Sequence, residues 1–199
     1  MKKRIITISR EFGSGGRTVG KQLAEKLGVD YYDKELVKQI ASASGFAPAY
    51  VEEHSDYARG RSAFSYGLFQ SGGSGLLSAE DYLWCVQRGV ILDLAEKAPC
   101  VIVGRCADYI LREREDCLHA FLHADKAFRA ERIVRLYGES EKAPEKRLDE
   151  KDSRRRVSYK HFTGGDWGMS QNYHISLSTS ALGLETCVEI LAELFQKES

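Results

Sequence analysis

A chain of 199 residues in which 29 Lys and Arg are matched by 29 Asp and Glu carries no formal net charge. That length suits one domain with a single sizeable core, and that balance excludes a globally basic nucleic-acid binder or a membrane-surface protein, so any anion site is local. The apolar run after the basic MKKR is too short for a signal peptide, and no stretch approaches the ~20 apolar residues of a membrane span; the expected location is the cytoplasm.

The first predicted elements are a strand, a glycine-rich turn and a helix, within Ile5 to Gly28. Gly13, Gly15 and Gly16 permit positive φ and close approach of a ligand to the backbone. The helix that follows offers free N–H groups and a positive dipole end, which suit a phosphate. Strand, glycine loop and helix in that order form the phosphate cradle of mononucleotide-binding proteins; an ordinary strand-to-helix turn is the alternative. Gly28 stops the helix, and VDYYD gives a short strand ending at Asp33, which can cap a helix over Lys34 to Ser44. Residues 46–53 suit another short helix. From Tyr57 to Ser78 glycines, serines and aromatics mix, and the stretch reads as a mobile segment that orders around a ligand.

Ser78 opens a long helix to about Lys97, with Leu83, Trp84, Val86, Val90, Ile91 and Leu94 on its apolar side. Pro99 ends it, and CVIVG over residues 100–104 is the continuous apolar run of a central parallel strand. Arg105 and Asp108 follow at its carboxyl end, the edge where open α/β sheets bind ligands. LHAFL at 118–122 and HISL at 174–177 are the remaining strands, and Leu184 to Phe195 a terminal helix. Alternation of strands and helices implies a parallel sheet covered on both faces. The five cysteines are odd in number and form no CxxC pair, which favours reduced thiols. His119, His123 and Cys117 lack a fourth zinc ligand, so LHAFLH reads better as a core strand than as a metal site.

The last two strands are separated by a charged segment. Ala124 to Gly138 and a second helix from about Pro144 form a hairpin bearing Arg129, Arg132, Arg135, Arg147, Arg154, Arg155 and Arg156. Most of these charges balance nearby acids on a solvated face. The adjacent Arg154, Arg155 and Arg156 stand apart, because neighbouring cations repel unless an anion is close, and arginine forks clamp transferring phosphoryl groups.

TISREFGSGGRTVGKQLAEKLGVDYYDKELV, VIVGRCADYIL, FLHADKAFRAERIVR with EKDSRRR, and ISLSTSALGLETCVEIL occur in an order and spacing that resemble the cytidylate kinase-like branch of the P-loop kinases. The resemblance covers most of the chain and is weakest between residues 50 and 80. It implies one domain with a five-stranded parallel sheet of order 2-3-1-4-5, an acceptor-binding helical region at about 34–97 and a lid hairpin at about 125–160. It also implies ATP and Mg²⁺ as donor and metal and a nucleoside monophosphate such as CMP as acceptor; the charge balance leads to the expectation of neither nucleic acid nor membrane as partner. By position, Gly13, Ser14, Gly15, Gly16, Arg17 and Thr18 would hold the donor phosphates, with Thr18 as the magnesium ligand. Asp33, Arg105 and Asp108 would serve the acceptor, Arg17, Arg132, Arg154 and Arg156 would carry catalysis, and Ser178 to Ala181 would lie near the donor base.

This sequence departs from the ordinary phosphate loop at its cation. Aligned without gaps, Gly16 stands at the lysine and Arg17 at the metal-binding hydroxyl; shifted by one, Arg17 and Thr18 replace Lys and Thr in a longer loop. The expectation is that Arg17 supplies the missing charge, with Arg10 as its rival. An ATP-dependent phosphotransferase is the leading reading, and a nucleotide-binding or sensing protein with little transfer activity is the alternative.

Overall fold

The alternating residues of the first strand set the centre of the molecule. In the computed structural model, which describes residues 3–54 and 78–197, β1 (Ile5–Arg10) lies between β3 (Cys100–Val103) and β4 (Cys117–His123). β2 (Asp30–Tyr32) and β5 (Ile175–Ser178) form the edges. Every pairing is parallel and the order is β2-β3-β1-β4-β5, the arrangement that the family resemblance implies.

Side chains of a strand alternate between faces, so β1 serves two cores. Ile5, with Cys100, Ile102 and Cys117, packs against α2 (Lys34–Ser44), α3 (Pro48–His54), α4 (Ala79–Lys97) and α5 (Ala107–Ile110). Ile6 and Ile8, with Val101, Val103, Leu118 and Leu122, pack against α1 (Gly16–Leu27) and α9 (Leu184–Gln196). Arg10 therefore leaves the strand on the α1 side and Ser9 on the other. Gly16 and Gly20, one turn apart, bring α1 close to the sheet. A Cβ on Gly20 would lie 2.9 Å from Val103 Cγ2, and one on Gly16 would lie 2.6 Å from Arg10 Cβ.

The predicted hairpin is α6 (Lys126–Tyr137) with α7 (Pro144–Thr163), and a short α8 (Thr179–Leu182) precedes α9. Ser78 caps α4 by accepting the Asp81 N–H at 3.0 Å. Asp33 behaves differently from expectation. It precedes α2 but makes no capping bond, because its carboxylate turns to Arg17 at 2.9 Å. Gln87, in the middle of α4, is buried beside the apolar residues because its amide serves the β3 turn. The expected mobile segment from Tyr57 lies outside the described residues up to its last member, Ser78. No helix among the described residues is long and apolar enough to cross a membrane.

All five cysteines are free thiols, and no cluster of three or more metal-ligating side chains occurs among the described residues. His119 instead stacks on His174, with centroids 4.9 Å apart, and its Nδ1 lies 2.8 Å from Thr7 Oγ1. Burial, helped by His174 and Lys3, pulls its pKa from 6.5 down to about 4. A depressed histidine pKa favours the neutral ring in the fold, so its contribution is complete above the unfolded value of 6.5 and is lost as pH falls toward 4. His119→Phe should therefore lose stability less steeply than wild type between about pH 6.5 and 5 in urea unfolding. Equal slopes would show that this imidazole is not the acid-sensitive group.

Candidate functional site

The loop from Glu11 to Gly15 joins β1 to α1 and is shaped by two left-handed glycines, Gly13 at φ 84° and Gly15 at φ 91°. Glycine is required there by space as well as by φ. A Cβ on Gly13 would lie 2.9 Å from the Arg129 carbonyl oxygen, and one on Gly15 2.5 Å from Leu184 Cδ2. Ser14 turns inward: its N–H and Oγ both donate to the Glu11 carbonyl, and its own carbonyl accepts the buried Thr179 hydroxyl at 2.6 Å. The N–H groups of Gly13, Gly15, Gly16 and Thr18 donate to no acceptor among the described residues. They belong to residues that line a cleft of about 400 Å³ at the start of α1. A phosphate suits such a cradle.

Cations from five elements surround it. Arg10 comes from β1, Arg17 from α1, Arg105 from the end of β3, Arg132 from α6, and Lys151, Arg154 and Arg155 from α7; Glu11 and Glu52 are the acids of the lining. Arg105 is aimed by an unusual turn in which Gly104, Arg105 and Cys106 take φ of 79°, 58° and 52° in succession. Left-handed backbone costs roughly 1–2 kcal/mol at each non-glycine residue. Surrounding contacts hold it: the buried Gln87 amide donates to the Arg105 carbonyl at 3.0 Å, and Arg105 Nη1 reaches the Val51 carbonyl at 3.5 Å. Arg132 is buried, and its Nη2 donates to Thr18 Oγ1 at 2.8 Å. Desolvation lowers its pKa.

The hairpin is tied to the loop by one buried carboxylate. Asp152 accepts the Phe12 N–H at 2.7 Å, Arg129 Nη1 at 2.6 Å and Arg155 Nη1 at 3.2 Å. Arg155 also donates to the Arg10 carbonyl at 3.1 Å and Arg129 to the Phe12 carbonyl at 3.2 Å. Glu11 Oε2, 3.4 Å from Arg129 Nε, adds charge without an aligned hydrogen bond. Phe12 packs with Ala130, Ile133 and Leu148 and stacks on Tyr137.

Several predicted residues sit elsewhere. Asp108 is buried beneath the turn and does not line the cleft; it accepts Ser9 Oγ at 3.0 Å and the Tyr159 hydroxyl at 2.8 Å. Burial raises its pKa against the pull of those two bonds. Its place is that of a strut between β1, α5 and α7. Arg156 also lies off the cleft, with its guanidinium carbon 5.7 Å from the centre of the Trp167 ring, and Arg155 lines the cleft instead. The helical period explains the exchange, because Leu148, Asp152, Arg155 and Tyr159 form one inward stripe and Arg156 falls beside it. That stripe was visible in the sequence, whereas the pairing of Asp152 with Arg129 and Phe12 was not. Arg17 lines the cleft edge, held by Asp33, with two-fifths of its side chain exposed.

The residues fit a triphosphate better than they fit an isolated magnesium ion. The N–H groups of Gly13, Gly15, Gly16 and Thr18 find no acceptor among the described residues, whereas the Thr18 hydroxyl, the candidate metal ligand, accepts from Arg132. Magnesium usually rests on phosphate oxygens and water with few protein ligands, so Thr18 suits it alongside a bound nucleotide.

The sequence profile of the cytidylate kinase-like family matches residues 5–181. No curated protein matches the chain significantly. Among solved structures, an uncharacterized protein from Eubacterium ventriosum is 26% identical with a TM-score of 0.74, over 98% of this chain and all of its own. A shikimate kinase from Acinetobacter baumannii, in complex with shikimate, is 15% identical with a TM-score of 0.54 over 96% of this chain and 92% of its own. A shikimate kinase from Bacteroides thetaiotaomicron is 16% identical with a TM-score of 0.55 over 97% and 98%. These two likenesses show a shared fold, that of the P-loop kinases.

Asp152→Ala leaves the buried Arg129 with only the Glu11 carboxylate at 3.4 Å, and breaking a buried pair typically costs about 3–5 kcal/mol. Chemical denaturation should show a loss of that order, and a loss below about 1 kcal/mol would dismiss the pair as the tie between hairpin and loop.

Proposed function

The chain belongs to the cytidylate kinase-like family, and from that premise we propose that it transfers the γ-phosphoryl group of ATP to a small phosphorylated acceptor. A nucleoside monophosphate such as CMP is the first candidate. The observation that carries the reading is the meeting of Arg105 and Arg132 with the glycine cradle in one cleft at the carboxyl edge of a parallel sheet.

In this mechanism the cradle N–H groups bind the donor phosphates, and Arg132 exchanges the Thr18 hydroxyl for a phosphate oxygen. Arg105, held by its left-handed turn, binds the acceptor phosphate and orients one of its oxygens toward the γ-phosphorus. A new P–O bond forms there as the bond to the β-phosphate oxygen breaks, releasing ADP. The Thr18 hydroxyl would hold a magnesium ion bound with the nucleotide, and that ion would supply charge neutralisation to the donor phosphates. Arg17 and Asp33 flank the acceptor side, and Lys151 and Arg154 contribute charge from α7. Positioning and charge neutralisation supply the rate, as expected for phosphoryl transfer.

A coupled ADP-release assay across nucleoside monophosphates tests the reading, with CMP expected to lead. Arg132→Ala should lower kcat by about 10²–10³, the usual effect of losing one preorganised donor to a transition-state charge. Tight ATP binding without turnover of any acceptor would favour the nucleotide-binding alternative instead.

Arg105→Ala should act mainly on the acceptor. Its KM should rise by about tenfold or more, as for a lost charge-assisted hydrogen bond, with the KM for ATP little changed. Equal effects on both substrates would remove Arg105 from the acceptor side.

A further inference from the structure

An ordinary phosphate loop places a lysine at the helix start, where it reaches the β- and γ-phosphates. Here the ungapped equivalent is Gly16, and the next residue, Arg17, is drawn to the cleft edge by Asp33. The space above Gly16 is filled from the strand side. A Cβ on Gly16 would lie 2.6 Å from Arg10 Cβ and 2.7 Å from its Cγ, so the stem of Arg10 runs against the bare backbone of α1. Its guanidinium continues to Gly104, where a Cβ would lie 2.8 Å from Arg10 Cζ. Glycines on two separate elements thus bracket one arginine.

We propose that Arg10, threaded between Gly16 and Gly104, is the cation of this phosphate loop and contacts the donor's terminal phosphates, the role lysine has elsewhere. The inference rests on the phosphotransfer reading for its catalytic part. The face alternation of β1 sends Arg10 to the α1 side, and its carbonyl is fixed by Arg155. The residue is only 6% exposed, yet it lines the same cleft as the cradle glycines, Arg105 and Arg132. Its head therefore sits between the donor cradle and the turn that aims Arg105, on the path that a phosphoryl group would follow between them. A planar fork in that position can hold two phosphate oxygens at once, where lysine would act as a point charge. The glycine at position 16 is then part of the same device, because any side chain there would meet the stem.

The test compares wild type, Arg10→Gln and the exchange variant Arg10→Gly/Gly16→Lys, which rebuilds a lysine at the helix start. Calorimetric affinities for ATP and AMP are measured on the full chain, with turnover of CMP and melting temperature alongside. Arg10→Gln should lose about tenfold or more in ATP affinity with AMP affinity unchanged, and about 10²–10³ in kcat. The exchange variant should regain the preference for ATP. A folded Arg10→Gln whose ATP affinity and kcat both stay within about threefold of wild type would overturn the assignment. Should Arg10→Gln not fold, the exchange variant decides: a regained preference for ATP supports the role, and a folded protein without it refutes the role. If wild type turns over no acceptor, the phosphotransfer reading falls, and the ATP-over-AMP ratio alone judges Arg10.

Discussion

Asp152 brings three parts of the molecule to one buried carboxylate: the loop through Phe12 N–H, α6 through Arg129, and the cleft-lining arginine Arg155 of its own helix. An ion pair removed from water adds little net stability unless its remaining hydrogen-bonding capacity is filled, and here the Phe12 backbone helps to fill it. The consequence is positional. With the hairpin fixed to the loop, Arg132 of α6 reaches Thr18, and the wall formed by α7 closes over the cradle.

The end of β1 divides the chemistry of the site. Ser9 turns to one face and bonds Asp108, which also receives Tyr159 and so anchors α7 beneath the β3 turn. Arg10 turns to the other face and enters the cleft. A one-residue shift of register would exchange them, placing a hydroxyl at the phosphate cradle and a guanidinium against a buried carboxyl. Burial on both faces excludes that shift. The run of left-handed residues after β3 has the same dependence on surroundings, since Gln87 from a neighbouring helix holds a backbone that arginine and cysteine would not adopt alone.

Although the chain is neutral overall, its cleft is lined by arginines and one lysine with few acids. Cations gathered against low-dielectric walls focus the field on any anion that enters. The acids that balance them lie largely elsewhere, in surface pairs such as Lys126 with Asp149 and Lys142 with Glu150. Pairs of that kind contribute little to stability but keep the outer faces of the hairpin hydrated.

The elements themselves were legible in the sequence because they follow from local periodicity and punctuation. The apolar run at 100–103, the glycine cluster after the first strand and the helical spacing over Lys34 to Ser44 each specify backbone geometry within a few residues. The strand order came from the family resemblance, and the alternation of strands and helices carried only the expectation of a parallel sheet. The site was legible as a loop and a set of arginines, but not as a choice among them. Arg10, Arg17, Arg155 and Arg156 are alike in sequence. Their placements are set by partners on other parts of the chain: Asp33 for Arg17, Gly16 and Gly104 around Arg10, the Arg10 carbonyl for Arg155 and Trp167 for Arg156. A long cationic side chain has many rotamers of similar energy, so only packing and charge in three dimensions select one.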